Sequence, residues 1–219
     1  MRRRKFIAGV GSLAAAGAVA TGTGAFSQMS ASRAANVNVV NDTNGLVALE
    51  PGPNIDSDVV RESNGELVID FTADGNADGV NVNSRYQVGV FDSSNTWSMP
   101  GTSLNDTPAL DWQDGMGDDY AFAIRNQDSA EHGIRIAYEA ADTDNFNGAY
   151  IYFQFEPTGA NSQYLRIRID ESNGNNVEAS SDTIPAGTAY RCSFLVDTRA
   201  VDADVDDTDL SGQIRVSTF

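Results

Sequence analysis

The chain predicts an all-β fold, a two-sheet antiparallel β-sandwich (jelly-roll-like) with one long loop. Three observations predict it. Apolar residues recur at every second position, polar turn pairs separate these runs, and no amphipathic helical period interrupts them. The first candidates are short, Val37 to Val40 and Leu46 to Leu49. Leu67, Ile69 and Phe71 then alternate with Glu66, Val68 and Asp70, and Tyr86, Val88 and Val90 with Gln87 and Gly89. Tyr120, Phe122 and Ile124 follow, then Ile134, Ile136 and Tyr138, then Ile151, Phe153 and Phe155. Leu165, Ile167 and Ile169 precede Tyr190, Cys192, Phe194 and Val196, and Ile214 with Val216 closes the series. Turn chemistry stands between them at Asn64-Gly65, Asp74-Gly75, Asp78-Gly79, Asn147-Gly148, Asn173-Gly174 and Pro185-Ala186-Gly187. Most runs are shorter than the about 9 to 11 residues a membrane-barrel strand needs, and their alternate face is charged.

Residues 92–119 break the rhythm. They hold both tryptophans, Trp97 and Trp112, without sustained periodicity, and loops beyond about 12 to 15 residues are uncommon unless they serve a purpose. Two expectations stand: a binding loop that presents an aromatic face, or a cover folded over an open end of the sandwich with the indole rings as its plug.

Residues 1–25 form a twin-arginine-type signal peptide. Arg2-Arg3-Arg4-Lys5 precedes Phe6-Ile7 and a run of Ala, Gly and Val that is too short and weakly apolar to hold a bilayer. Such a signal is an address read by a receptor and serves chains that fold before export. Residues 26–36 are then a flexible leader or donor strand, and residues 37–219 the β-sandwich domain. An extracellular or cell-surface location follows, with no stable membrane span after cleavage.

Beyond residue 25 the chain carries 10 arginines, no lysine and 31 acidic residues, a formal balance of −21. In dilute buffer this self-repulsion opposes the compact state. At ~1 M salt the Debye length falls to about 3 Å and the repulsion largely disappears. A lysine-free, aspartate-rich surface is therefore read as salt adaptation, and it disfavours nucleic acid and anionic membranes as partners.

No catalytic constellation assembles, and no enzyme is expected. His132 is the only histidine and falls in a predicted turn; Cys192, the only cysteine, falls on the apolar side of its strand as an inert thiol. Calcium is the one cofactor the sequence raises. Asp74, Asn76 and Asp78 space oxygens at alternate positions before Gly79, as in the first half of an EF-type loop. Arg85 stands where that loop needs a bidentate glutamate. A second acidic run spans Asp202 to Asp209. Six arginines, Arg125, Arg135, Arg166, Arg168, Arg191 and Arg215, fall opposite the apolar face of predicted strands. They either gather an anionic partner or pair across strands with local carboxylates. Asn41 and Asn105 head glycosylation sequons.

The stretch RRRKFIAGVGSLAAAGAVATGTGAFS, with NVNVVNDTNGLVALEPG, DYAFAIRNQDS, IPAGTAYRCSFLVDT and GQIRVST, resembles a haloarchaeal family of exported proteins of unknown function. More distantly it is similar to camelysin and TasA-type biofilm matrix proteins. The resemblance implies a jelly-roll-like sandwich and, on the TasA side, subunits that polymerise when the N-terminal segment completes a neighbour's sheet. It departs from that pattern in its twin-arginine signal, and the zinc site sometimes ascribed to camelysin is not visible.

The segment itself supports strand donation. From Phe26 through Met29 to Asn36 it carries only Arg33 besides the terminal amine, and it leads into Val37 and Val39. Such a segment either adds to the sheet edge of another copy or serves as leader and first strand of its own. Head-to-tail addition does not close and gives a filament. The expectation is an exported, salt-adapted structural or adhesive protein of the cell surface or extracellular matrix, with further copies or other envelope proteins as partners. The alternative is a carbohydrate-binding module that stacks polysaccharide on Trp97, Trp112, Tyr150 and Tyr152.

Diluting the salt is expected to unfold the domain, read as loss of the far-UV β signal; an unchanged spectrum in dilute buffer free of divalent ions contradicts salt adaptation. Calorimetry with calcium in concentrated sodium chloride tests the Asp74 loop, where absence of saturable heat leaves it a turn.

Overall fold

A computed structural model describes residues 36–40, 46–55, 59–63, 66–70, 80, 83–92, 111–141, 144, 146–159, 163–171, 177–201 and 208–219. These hold fourteen strands and no helix, all within a unit that runs from Ser32 to Phe219.

The first sheet has six strands, in the order β12 (Val177–Ile184), β9 (His132–Ala140), β14 (Gly212–Thr218), β1 (Asn36–Val40), β4 (Glu66–Asp70) and β3 (Val60–Ser63). The second runs β11 (Leu165–Ile169), β10 (Tyr150–Pro157), β13 (Ala189–Asp197), β8 (Phe122–Asn126) and β2 (Val47–Pro51), and β5 (Arg85–Val88) also pairs with β13. A two-stranded ribbon joins β6 (Phe91–Asp92) to β7 (Trp112–Gln113). The pairing is antiparallel except for β1 with β14 and β6 with β7, which run parallel. These two pairs depart from the purely antiparallel expectation.

Alternation places the core. Ile134, Ile136 and Tyr138 of β9 and Ile214 and Val216 of β14 join one buried cluster with Ile151, Phe153 and Phe155 of β10 and Tyr190, Cys192, Phe194 and Val196 of β13. The two sheets thus face each other across shared apolar layers, a sandwich-like arrangement. Phe153 is its hub: its ring centroid lies 5.7 Å from Tyr138 of the opposite sheet and 5.6 Å from Phe194. The Tyr138 hydroxyl donates to the Leu210 carbonyl at 2.7 Å, so its one polar atom is satisfied inside the core. Burial pushes that phenol far above its usual pKa. Gly212 makes room for it, since a Cβ there would stand 2.4 Å from the Tyr138 ring.

Strand β13 is the spine of the second sheet. Along one side it pairs with β10 from Tyr190 to Asp197. On the other, Ala189 to Cys192 pair with β8 and Phe194 to Asp197 with β5. The exchange falls at Ser193, where Gly89 takes φ 77° and passes so close that a Cβ would meet the Ser193 hydroxyl at 2.3 Å. This glycine explains why β5 stops at Val88 and Val90 leaves the sheet, against the run expected from the alternation. Tyr120 likewise precedes its strand, because β8 begins at Phe122. His132 opens β9 opposite Ile184 instead of lying in a turn.

Phe153→Ala is expected to cost about 3–5 kcal/mol in denaturant unfolding at molar salt, from lost transfer energy and the cavity left behind. Arg215→Ala, which breaks an exposed pair with Glu139, should stay within about 0.5 kcal/mol.

Candidate functional site

Strand β1 lies inside the six-stranded sheet, not at its edge. Val37 and Val39 stand in register with Ile69 and Leu67 of β4 on one side and with Gly212 and Ile214 of β14 on the other. The chain's own first strand therefore fills a slot whose two walls are the last strand and the β3–β4 hairpin. Across that hairpin, Arg61 pairs with Asp70 at 2.8 Å. Both walls are rows of backbone N–H and C=O groups that need a strand between them, because an orphaned buried amide or carbonyl costs about 1–3 kcal/mol.

The outer face of the second sheet is the other distinctive surface. Opposite the core residues of β10 stand Tyr150, Tyr152, Gln154 and Glu156, and two of these are buried: Tyr152 is 3% exposed and Gln154 0%. The segment that leaves the sheet at Gly89 covers them. Phe91 packs with Tyr152 and Leu195 in a second apolar cluster. Polar contacts tie the cover down. The Asp92 amide donates to Gln154 Oε1 at 2.8 Å, and the Gln154 side-chain amide returns a bond to the Asp92 carbonyl. The Gly115 amide donates to the buried Asp92 carboxylate at 2.9 Å, and the Met116 amide to Glu156 at 2.7 Å. Burial lowers the Arg166 guanidinium below its usual range, opposed by the charge of Asp92. The described ends of the aperiodic segment, Asp92 and residues 111–119, thus lie at a sheet face, and the stretch between them, with Trp97, is outside the described residues.

Of the two tyrosines read as stacking platforms, Tyr152 is buried and Tyr150 is half-buried. Tyr152 lies under the cover, and the Arg168 guanidinium sits 4.9 Å from the Tyr150 ring centroid and 5.6 Å from that of Tyr152. At the end of β13, Arg199 grips the buried Asp197 carboxylate through two nitrogens, at 2.7 and 3.0 Å. That bond and the charge of Asp197 raise the Arg199 pKa. Neither Asp197 nor Arg199 stood out in the sequence.

Among the strand arginines, Arg125, Arg168, Arg191 and Arg215 stand within ion-pair distance of an acid. Arg125 forks onto Glu50 of the neighbouring strand, and Arg215 bonds Glu139 at 2.7 Å. Arg191 stands 3.9 Å from Asp118 and over Tyr120, and Arg135 over Phe219. His132 meets Asp128 at 2.6 Å, and this contact holds the Asp128 carboxyl below its usual pKa. Cys192 is fully buried with Tyr190 and Phe194, and burial raises its thiol pKa well above the ordinary value.

Several sequence-derived candidates lie outside the described residues: the calcium set Asp74, Asn76 and Asp78, the donor residues Phe26 and Met29, Trp97, and the sequons at Asn41 and Asn105. Trp112 is placed only as a member of β7, in register with Phe91. Among the described residues no group of three or more His, Cys, Asp or Glu is arranged to hold a metal ion. No helix there is long and apolar enough to cross a membrane. No family model matches the chain, no curated protein matches it in sequence, and no solved structure matches it in fold.

Burial pushes the Tyr152 phenol up to about 12, with Arg168 acting in the opposite direction. A phenol with an ordinary pKa of about 10 when unfolded contributes stability that is full below that pH and lost as pH rises through the folded value. Tyr152→Phe is therefore expected to flatten the fall in stability between about pH 10 and 12, measured by denaturant midpoints in molar salt.

Proposed function

We propose that this chain is an exported, salt-adapted structural subunit of the cell surface or extracellular matrix, and that copies join by exchanging the first strand. The observation that carries this reading is the place of β1 between β14 and β4. A strand at the beginning of the domain, seated mid-sheet and followed after Val40 by the short hydrophilic stretch Asn41-Asp42-Thr43-Asn44-Gly45, is the kind of element that two copies can trade. The bonds made in a neighbour's slot are those made at home, so exchange has little enthalpic cost. When each copy gives β1 to the next and accepts from the one before, the contact is head-to-tail and grows without closing. A jelly-roll winding of the sheets belongs to the same reading.

The acidic balance supports the setting. Copies of so strongly charged a chain approach closely only where salt has removed their long-range repulsion. Backbone pairing is indifferent to that salt.

The register supplies a direct test. Chains carrying Val39→Cys are mixed, in molar salt, with chains carrying Ile214→Cys, both in a Cys192→Ala background, since Val39 and Ile214 are Cα partners. Strand exchange is expected to give a disulfide-linked pair made of one chain of each kind, alongside filaments by electron microscopy. Absence of the mixed pair, while the doubly substituted chain closes its own disulfide, refutes the exchange.

A further inference from the structure

The corner of the second sheet where β10 begins and β13 ends brings arginines, tyrosines and buried carboxylates together on the outward face. Register sets them in rows. Tyr150 stands opposite Asp197, which stands opposite Arg85; one row further, Arg168 stands opposite Tyr152. The Arg168 Nε stands 3.0 Å from an Asp170 carboxylate oxygen, and its guanidinium carbon lies over both rings of the tyrosine pair. Tyr150 and Tyr152 meet edge to face at 5.4 Å. Asp197 is completely buried, yet the Arg199 side chain that grips it keeps 47% of its surface. One edge of that guanidinium is fixed from beneath and the other is presented outward.

From this arrangement we propose that the corner binds carboxylate-bearing saccharides, the Arg199 and Arg168 forks taking the carboxylate and the Arg168–Tyr150 surface taking the C–H face of the sugar ring. Arg85, Arg168 and Arg199 gather here beside Asp170, Asp197 and Glu171, in a chain whose overall charge is −17. Buried Asp197 and Asp170 hold the guanidiniums in place, which removes the entropic cost of ordering two long side chains. Concentrated salt selects for this kind of site. Long-range attraction vanishes within a few ångströms at ~1 M salt, so recognition rests on bidentate contact and stacking, and a uronate ring supplies both. The inference goes beyond the structural role above and does not depend on strand exchange.

Calorimetry on the chain from Phe26 to Phe219 in molar potassium chloride tests it with three probes: a galacturonate hexamer, a neutral glucose hexamer and hexaglutamate. Saturable heat is expected with the galacturonate hexamer alone. Arg199→Lys keeps a charge on Asp197 but loses the fork, and is expected to weaken binding about tenfold, as is Arg168→Lys, with Arg215→Lys unchanged. Unfolding midpoints measured alongside show that each variant is folded; if Arg199→Lys is not, Arg168→Lys carries the test. No saturable heat, equal binding of hexaglutamate, or full affinity in a folded Arg199→Lys or Arg168→Lys protein overturns the proposal.

Discussion

The pairing of β1 with both β14 and β4 is the constraint on which the larger sheet depends. Five residues join two pieces of that sheet that, among the described residues, share no other strand pairing: the β12–β9–β14 group and the β3–β4 hairpin. Leu67 and Ile69, both buried in the main core, are held beneath the opposite sheet because β4 is docked through β1. Taking the strand away would uncover two rows of backbone groups at once and loosen one end of the core. Propensity contributes little to so short an element; its stability comes from its neighbours on both sides.

The second sheet solves a different problem. Its inner face packs on the core, but its outer face also carries apolar side chains, Tyr152 and Leu195, which solvent would leave exposed. The chain deals with them by leaving the sheet at Gly89 and laying Phe91 and the segment around Met116 across that face. Covering a sheet traps polar groups, and several are answered from the cover itself: Gln154 exchanges bonds with the Asp92 backbone, and the Asp92 and Glu156 carboxylates take the Gly115 and Met116 amides. The acids that dominate the composition thus do two kinds of work. Some, such as Glu62 and Asp118, solvate the surface, while Asp92 and Asp197 are structural acceptors inside.

Half-buried strands were legible because their alternation is imposed by the core itself; Ile134, Ile136 and Tyr138, or Leu165, Ile167 and Ile169, announce both element and face. Strand β12, with Glu178, Ser180, Ser181 and Asp182, carries no such signal because an edge strand has less to bury. The two-residue strands β6 and β7 are too short for any period. Val37 to Val40 read as a strand, but not as a central one, since alternation along a strand says nothing of its neighbours. The Arg199–Asp197 fork was hidden for a related reason: Asp197 is buried between its register partners on β10 and β5, which come from distant parts of the chain. The single φ of Gly89 decided where β5 ends, and an isolated glycine in an apolar run does not reveal whether it bends the backbone or merely thins it.

The partnership of β1 and β14 also sets a timetable. Val37 meets Gly212 across about 175 intervening residues, so the slot has one wall missing until β14 has been synthesised, and non-local closure of this kind is slow. During that interval the valine-rich strand has only β4 beside it. Under the proposed exchange, the interval between the synthesis of β1 and that of β14 is when a first strand enters another copy's slot.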